Sequence, residues 1–404
     1  MLFNKQIKFL VILPIVLWAA SCKTPHTISA PSATLPSAFT GKTAAEPDNM
    51  VSRSKVFVDT FLVQLIDVAV KQNPDVYIAM QRIETARSCF RIRKGAMLPS
   101  VEATANASTQ KYGDYTMEGV GNFDTNLSGN VSEDQKVSLP MVPYYFLGLR
   151  SSWEIDLWGK LKNQKKAAYM RFLGTEQARN LVITTLVAEV SFRYFELLAL
   201  DEEVAILKRN IALQDSVVNI AEVQKEAGRT TALAIQQFQA QLLRTKSLLA
   251  ETEQSIKKTE NELNYLLGRY PQAIPRNSNF LQQKLPEQVT VGLPQDVLNR
   301  RPDVLQAEAE LKATKADVGA AKAALLPALT LSPFLGYSSF NSRLLLNPAS
   351  IAYGIIGGAT APLLNRSALK GSLNRAQAEQ LEAHHNYNKV VLNAFQEIQT
   401  TLSN

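Results

Sequence analysis

Apolar residues recur along this chain with two different periods, and the change from one to the other happens twice. From Asn73 the sequence NPDVYIAMQRIETARSCFRIRKGAMLPSV sets Val76, Ile83, Phe90 and Met97 seven residues apart. From Asn299 the sequence NRRPDVLQAEAELKATKADVGAAKAALLPAL does the same with Val304, Leu311, Val318 and Leu325. A seven-residue step is close to two helical turns, so each stretch predicts a helix with one coiled-coil-like seam. Adding 228 to the residue number aligns Pro74, Asp75, Lys94 and Pro99 with Pro302, Asp303, Lys322 and Pro327 without a gap, which predicts an internal duplication. Proline suits a first helical turn, and a neighbouring acid faces the positive end of the macrodipole, so Pro74-Asp75 and Arg301-Pro302-Asp303 mark helix starts. Pro99 and Pro327 mark helix stops.

After each stop the period falls to two. Val101, Ala103, Ala105 and Ala107 alternate with Glu102, Thr104, Asn106 and Ser108. Beyond a polar loop from Gly113 to Asp134, Tyr145, Leu147, Leu149, Trp153, Ile155 and Leu157 alternate with Gly148, Arg150, Ser152, Glu154 and Asp156. This predicts a β-hairpin over 100–157 with one apolar and one polar face. Leu329 to Tyr337 and Tyr353 to Ala361 predict a second hairpin over 328–363, giving four strands in all.

Between the hairpins a helical pattern runs from Lys160 to about Ala227, where Gly228-Arg229-Thr230-Thr231 interrupts it, and returns as far as Leu267. In the returning arm Phe238, Leu242, Thr245, Leu249, Thr252, Ile256, Thr259, Leu263 and Leu266 keep four-three spacing, a sustained heptad seam. At about 1.5 Å per residue the ascending arm is a rod of roughly 100 Å. Gly268 and Pro271 end the helical hairpin over 160–267, and a connector over 268–293 leads to the second copy. The expected organisation is thus a first repeat over 59–293 and a second over 294–404. The second ends in a helix starting at Asn365-Arg366-Ser367 and lacks the helical hairpin that symmetry calls for, so it reads as incomplete, truncated on its C-terminal side.

The N-terminus adds an address. Lys5 and Lys8 precede the apolar run Phe9 to Trp18, then Ala19-Ala20-Ser21 and Cys22, which reads as a signal peptide over 1–21 with Cys22 as a lipidated mature N-terminus. A Ser, Thr, Pro and Ala-rich tether over 22–58 follows. Cys89 is then the one remaining thiol; no disulfide framework is available, and its place in the apolar register predicts a buried, inert group. A formal charge of +7 is spread without a run of five like charges, so nucleic-acid binding has no footprint.

Catalytic chemistry has no constellation here. The three histidines are His26 in the tether and the adjacent His384-His385, which do not share a helix face and so make no metal site. No phosphate loop or nucleophile elbow is present, and no cofactor or metal is expected. Two readings remain. One is a lipid-anchored periplasmic coiled-coil scaffold, which accounts for the heptads and Cys22. The other is a shared membrane barrel: four strands cannot close alone, so several copies would combine, with the apolar face against lipid and Glu102, Asn106, Arg150, Glu154 and Asp156 lining the lumen.

Nearly the whole sequence resembles the TolC-like outer-membrane efflux factors, in their lipoprotein branch. The residues that carry this are Cys22, Asn73-Pro74-Asp75, Leu98-Pro99-Ser100, SWEIDLWGKLK from Ser152, NELNYLLG from Asn261, GLPQDVLNRRPDV from Gly292 and ALLPAL from Ala324. The resemblance implies mixed α and membrane β architecture: a homotrimer with a twelve-stranded outer-membrane barrel on a periplasmic α-helical tunnel. It also implies a passive duct for small molecules, served by a periplasmic adaptor protein and an inner-membrane pump. The family's adaptor-contacting turn matches EAGRTTAL, so Ala227, Gly228, Arg229, Thr230 and Leu233 are the implied contacts. The family's periplasmic gate lies on a second helical tip, for which this sequence offers no matching residues.

Overall fold

A computed structural model describes residues 57, 59–277, 298–362, 364 and 366–403. The signal peptide, Cys22, most of the tether and most of the stretch between Gly268 and Leu298 lie outside the described residues. In sequence order the elements are helices α1 (Thr60–Gln72) and α2 (Pro74–Gly95), strand β1 (Ser100–Gln110), helix α3 (Met117–Leu127) and strand β2 (Val142–Ile155). Helices α4 (Lys160–Glu226), α5 (Ala232–Leu266) and α6 (Pro302–Ala323), strands β3 (Ala328–Ser339) and β4 (Ile351–Thr360), and helix α7 (Arg366–Ser403) follow. The molecule divides into two compact units. One comprises Cys89–Met170 and Leu311–His385, and the other takes its described residues from Thr34–Ser88, Arg171–Glu310 and Asn386–Asn404.

In the second of these units the core forms where α1 meets the middle of α4 and the end of α5. Leu62, Leu65, Ile66 and Ala69 recur at helical spacing on α1 and pack with Leu186, Val190, Tyr194 and Leu197 of α4 and with Leu263 and Leu267. Each such Leu, Ile or Val contributes about 1.5–3 kcal/mol when fully buried. Asp59 fixes the entrance: its carboxylate accepts from the N–H groups of Phe61 and Leu62 at 2.9 and 3.4 Å and from the Tyr194 hydroxyl at 2.8 Å. Burial first, and then that bond to Asp59, push the Tyr194 phenol well above its ordinary pKa.

Helices α1 and α2 are separate elements, because Asn73 has extended backbone angles between them. Its side-chain oxygen accepts from the Asp75 N–H at 2.7 Å and its amide donates to the Leu266 carbonyl at 2.9 Å, so the helix start at Pro74 is tied to the end of α5. The arms α4 and α5 meet in a tight turn. Gly228 has φ +69°, and the N–H groups of Gly228 and Arg229 donate to the carbonyls of Lys225 and Gln224, a Schellman cap that only glycine adopts without strain. Along α5 the expected seam is buried at Leu242, Thr245, Thr252, Thr259 and Leu263. At the turn end it runs through Ile235, one turn earlier than Phe238, which is exposed. The seam tolerates threonine because the Thr245 and Thr252 hydroxyls donate to the carbonyls of Gln241 and Leu248 in their own helix. Helices α6 and α7 meet here through Leu298, Val304, Val391 and Ala394.

The other unit holds one four-stranded antiparallel sheet in the order β1-β2-β3-β4. The hairpins join through β2 and β3, with Tyr145 opposite Ser339 and Ile155 opposite Leu329. Pro333 lies in the central strand β3; the ladder to β2 is interrupted at Ser332 and Pro333, while Pro333 stays in register with Ile355 of β4. In the same unit Ala167 packs with Ala313 and Ala316, small residues that let α4 and α6 approach closely.

Two expectations are corrected. The Gly113–Asp134 stretch is not all loop: Thr116 caps α3 by accepting from the Gly119 N–H at 3.0 Å, Glu118 sits in its first turn, and a 3-10 turn spans Glu133–Gln135. Cys89 is exposed and not buried. It stands one residue before the seam position Phe90, and one residue on a helix is a rotation of about 100°, which carries it off the seam.

Candidate functional site

The register sorts the sheet into two unlike faces. One carries Val101, Leu147, Leu149, Leu335, Ile351, Tyr353 and Ile355, all exposed, with Tyr353 at 80% and Ile355 at 73%. So large an uncovered apolar surface has no place in water and marks a contact with lipid or protein. On the opposite face stand Glu102, Thr104, Asn106 and Ser108 of β1 and Phe146, Arg150, Ser152 and Glu154 of β2, with Thr330, Ser332, Phe334 and Ser338 of β3.

The polar face is not flat. Gly148 and Gly336 oppose each other at its centre, and a Cβ on Gly148 would lie 2.5 Å from the Gly336 Cα, so the two strands approach with no side chain between them. Phe146 leans over Gly336 into the depression and is 2% exposed, although it belongs to an open sheet face. Phe334 covers Gly354 in the same way and meets Phe146 edge-on at 6.2 Å. Arg150 closes the group from the other side, its guanidinium carbon 4.6 Å from the Phe146 centroid.

The expected wall residues are placed as follows. Glu102 stands directly opposite Arg150, and Asn106 opposite Phe146. Glu154 ends the polar face and pairs with Lys160 at 2.6 Å. Asp156 lies one residue past β2 and faces the helix instead: its carboxylate oxygens accept from the N–H groups of Leu161 and Lys162 at 3.0 and 2.7 Å. That places it at the strand-to-helix junction, where a negative charge meets the free N–H groups of α4. The indole of Trp153 donates to the Met97 carbonyl at 3.1 Å, and that of Trp158 to the Pro327 carbonyl at 2.7 Å, so two tryptophans tie the end of β2 and the residues after it to the chain just before Pro99 and to Pro327 itself.

In the helical unit, Ala227, Gly228 and Arg229 are exposed at the α4–α5 turn, Thr230 is half-buried, and Leu233 is 67% exposed. Thr231 caps α5, accepting from the Ala234 N–H. The Arg301-Pro302-Asp303 start is more than a helix signal. Arg301 donates to both oxygens of Asp303, at 3.1 and 2.9 Å, and to Glu397 of α7 at 2.7 Å. Glu397 is well exposed and adds little. For Asp303, burial would raise the carboxyl, but the hydrogen bond and charge of Arg301 outweigh it and hold the group below its ordinary 3.8. A carboxyl depressed in this way stabilises the fold above its unfolded pKa, and the contribution fades as pH falls through the lower folded value. Arg301→Gln is therefore expected to cost about 1 kcal/mol at neutral pH, and the gap to wild type should narrow below pH 4. Unfolding midpoints in detergent across that range check it; a gap that stays constant with pH would refute the linkage.

Comparison with known proteins completes the picture. The family model described as "Outer membrane efflux protein" matches residues 65–269 and 293–404. A pyoverdine export outer membrane protein of Pseudomonas putida, OpmQ, is 30% identical over 399 residues, covering 98% of this chain and 82% of its own length. The probable outer membrane lipoprotein SilC of Salmonella typhimurium is 28% identical over 86% of this chain and 70% of its own length. A crystal structure of a membrane protein from Pseudomonas aeruginosa superposes with a TM-score of 0.78 at 26% identity, covering 95% of this chain and 83% of that one.

Proposed function

This chain belongs to the outer membrane efflux protein family, and on that premise we propose that it is the outer-membrane duct of a tripartite export assembly. Three copies would join their four-stranded sheets into one twelve-stranded barrel, and their helices would form a periplasmic tunnel. The observation that supports this best is the exposed apolar face on a sheet whose outer strands β1 and β4 each keep an open edge. Lipid tolerates no unpaired backbone edge, and spanning barrels need about eight strands or more, so neighbouring copies must supply the rest. Cys22 would carry the lipid anchor, in keeping with a relative described as a lipoprotein.

The duct is passive. Small molecules would be delivered by an inner-membrane pump through a periplasmic adaptor that grips the α4–α5 turn at Ala227, Gly228, Arg229, Thr230 and Leu233. The exposure of that turn supports the assignment, since a contact surface must be free in the separate protein. The test is to purify the protein in detergent, look for an oligomer on gels that dissociates only on heating, and record it in planar bilayers. Discrete conductance steps from that oligomer are the expected result. A lipid-free protein that stays soluble without detergent and is silent in bilayers would instead support the scaffold.

A further inference from the structure

One cross-strand row passes through all four strands: Glu102, Arg150, Phe334, Gly354. On the polar face it sets an acid, a cation, an aromatic ring and a position with no side chain next to one another. Arg150 is exposed, and an exposed arginine normally sweeps through many rotamers. Here its guanidinium lies over Phe146, a ring that is itself buried and braced by Phe334. Stacking of this kind favours one orientation even at an exposed site. One face of the guanidinium is then occupied, while its N–H edge stays available for an acceptor in the same plane.

Beside it is a cavity of about 470 Å³, bounded by Ser152, Ser332, Phe334 and Ile356 as well as Arg150 and Glu102. That lies within the roughly 300–1,000 Å³ typical of small-ligand sites. The wall combines a planar cation and a carboxylate with apolar surface from Phe334, Ile356, Pro333 and the Tyr144 ring, and with serine hydroxyls. Of the acids on this face, Glu154 is engaged by Lys160, while Glu102 lines the cavity directly opposite Arg150, so an incoming carboxylate competes with it for the guanidinium and is held the more loosely.

We propose that Arg150 and Phe334 form a transit site for cargo that joins a carboxylate to an aromatic ring. The carboxylate would take two parallel N–H bonds from the guanidinium, the geometry arginine matches best, while the ring rests against Phe334 and Ile356. Being open on one side, the site holds its occupant weakly, as a duct wall must if cargo is to leave. The inference rests on the duct reading, because it is the barrel that would turn this face toward the permeation path.

Planar-bilayer recording of the full-length protein with salicylate as the probe and acetate as the ring-free control tests it. Salicylate is expected to reduce the wild-type current with a measurable midpoint, and acetate at the same concentration to leave it unchanged. Arg150→Gln should raise the salicylate midpoint at least tenfold and shift the reversal potential in a salt gradient toward cations. Arg150→Lys should keep the reversal potential but lose most of the block, since it retains the charge and not the fork. Phe334→Ala should weaken block without moving the reversal potential. If Arg150→Gln conducts and is blocked like wild type, the inference is overturned and the duct reading stands. If the wild-type protein carries no current, the duct reading fails, and this inference with it.

Discussion

Gly148→Val is expected to abolish the heat-resistant oligomer and its conductance while leaving most of the helical signal in circular dichroism intact. A Cβ at that position would meet the Leu335 carbonyl oxygen at 2.4 Å and the Gly336 Cα at 2.5 Å, both backbone atoms of the neighbouring strand. No rotamer change relieves such a clash; β2 and β3 must part, and β2–β3 is the ladder that unites the two hairpins. Overpacking in an ordinary core costs about 1–3 kcal/mol, and a side chain forced between paired strands belongs at or above the top of that range. Gly336→Val should behave alike, since its Cβ would lie 2.6 Å from the Leu147 carbonyl oxygen. Gly357→Ala is the control. Its nearest neighbour would be a Leu331 methyl at 3.9 Å, an ordinary contact, so oligomer yield and conductance should match wild type. A Gly148→Val protein that assembles and conducts normally would show that the sheet does not pair in this register.

The glycine pair also shows why some of the molecule was legible in advance and some was not. Helix starts at Pro74 and Pro302, the turn at Gly228 and the strands after Pro99 and Pro327 depend on short-range rules, and those rules can be read from neighbouring residues. The depression under Phe146 depends on Gly148 meeting Gly336, residues that belong to different repeats. Nothing local pairs them, so an aromatic on a polar face looked like an exception when it is the filler over a gap. Asp156 misled for a related reason. It continued the two-residue alternation of β2, but the free N–H groups of α4 compete for its carboxylate, and the strand ends one residue earlier. Helix α3 was hidden because its eleven residues include Gly, Asn and Asp, which favour turns, and only the cap at Thr116 signals the helix. Cys89 is exposed because it stands one helical step, about 100° of rotation, away from the seam position Phe90.

The same contrast between local signal and distant partner governs Arg276, which no motif marks. It lies just after α5, and its guanidinium donates to both oxygens of Asp201 on α4, at 2.5 and 3.0 Å, and to Glu260 on α5 at 2.5 Å. Its side chain is 17% exposed, against 31% and 23% for the two acids. The hydrogen bond to Asp201 outweighs the opposing effect of burial and, with Glu260, holds the guanidinium above its already high pKa, so it stays charged at every accessible pH. Arg276→Ala would leave two half-buried carboxylates facing a vacancy. Removing one side of a buried ion pair costs about 3–5 kcal/mol; with these acids partly solvated, roughly 2–3 kcal/mol is expected. Most of that cost comes from the stranded charges and not from a lost attraction. Arg276→Met with Asp201→Asn and Glu260→Gln should therefore recover more than half of it, because no charge is left without a partner. Denaturant unfolding in detergent, followed by helical circular dichroism, measures all three proteins. An Arg276→Ala protein as stable as wild type would remove the clamp from the list of what holds α4, α5 and the following segment together; a triple variant no better than the single one would mean that the attraction itself, and not the desolvated acids, carries the effect.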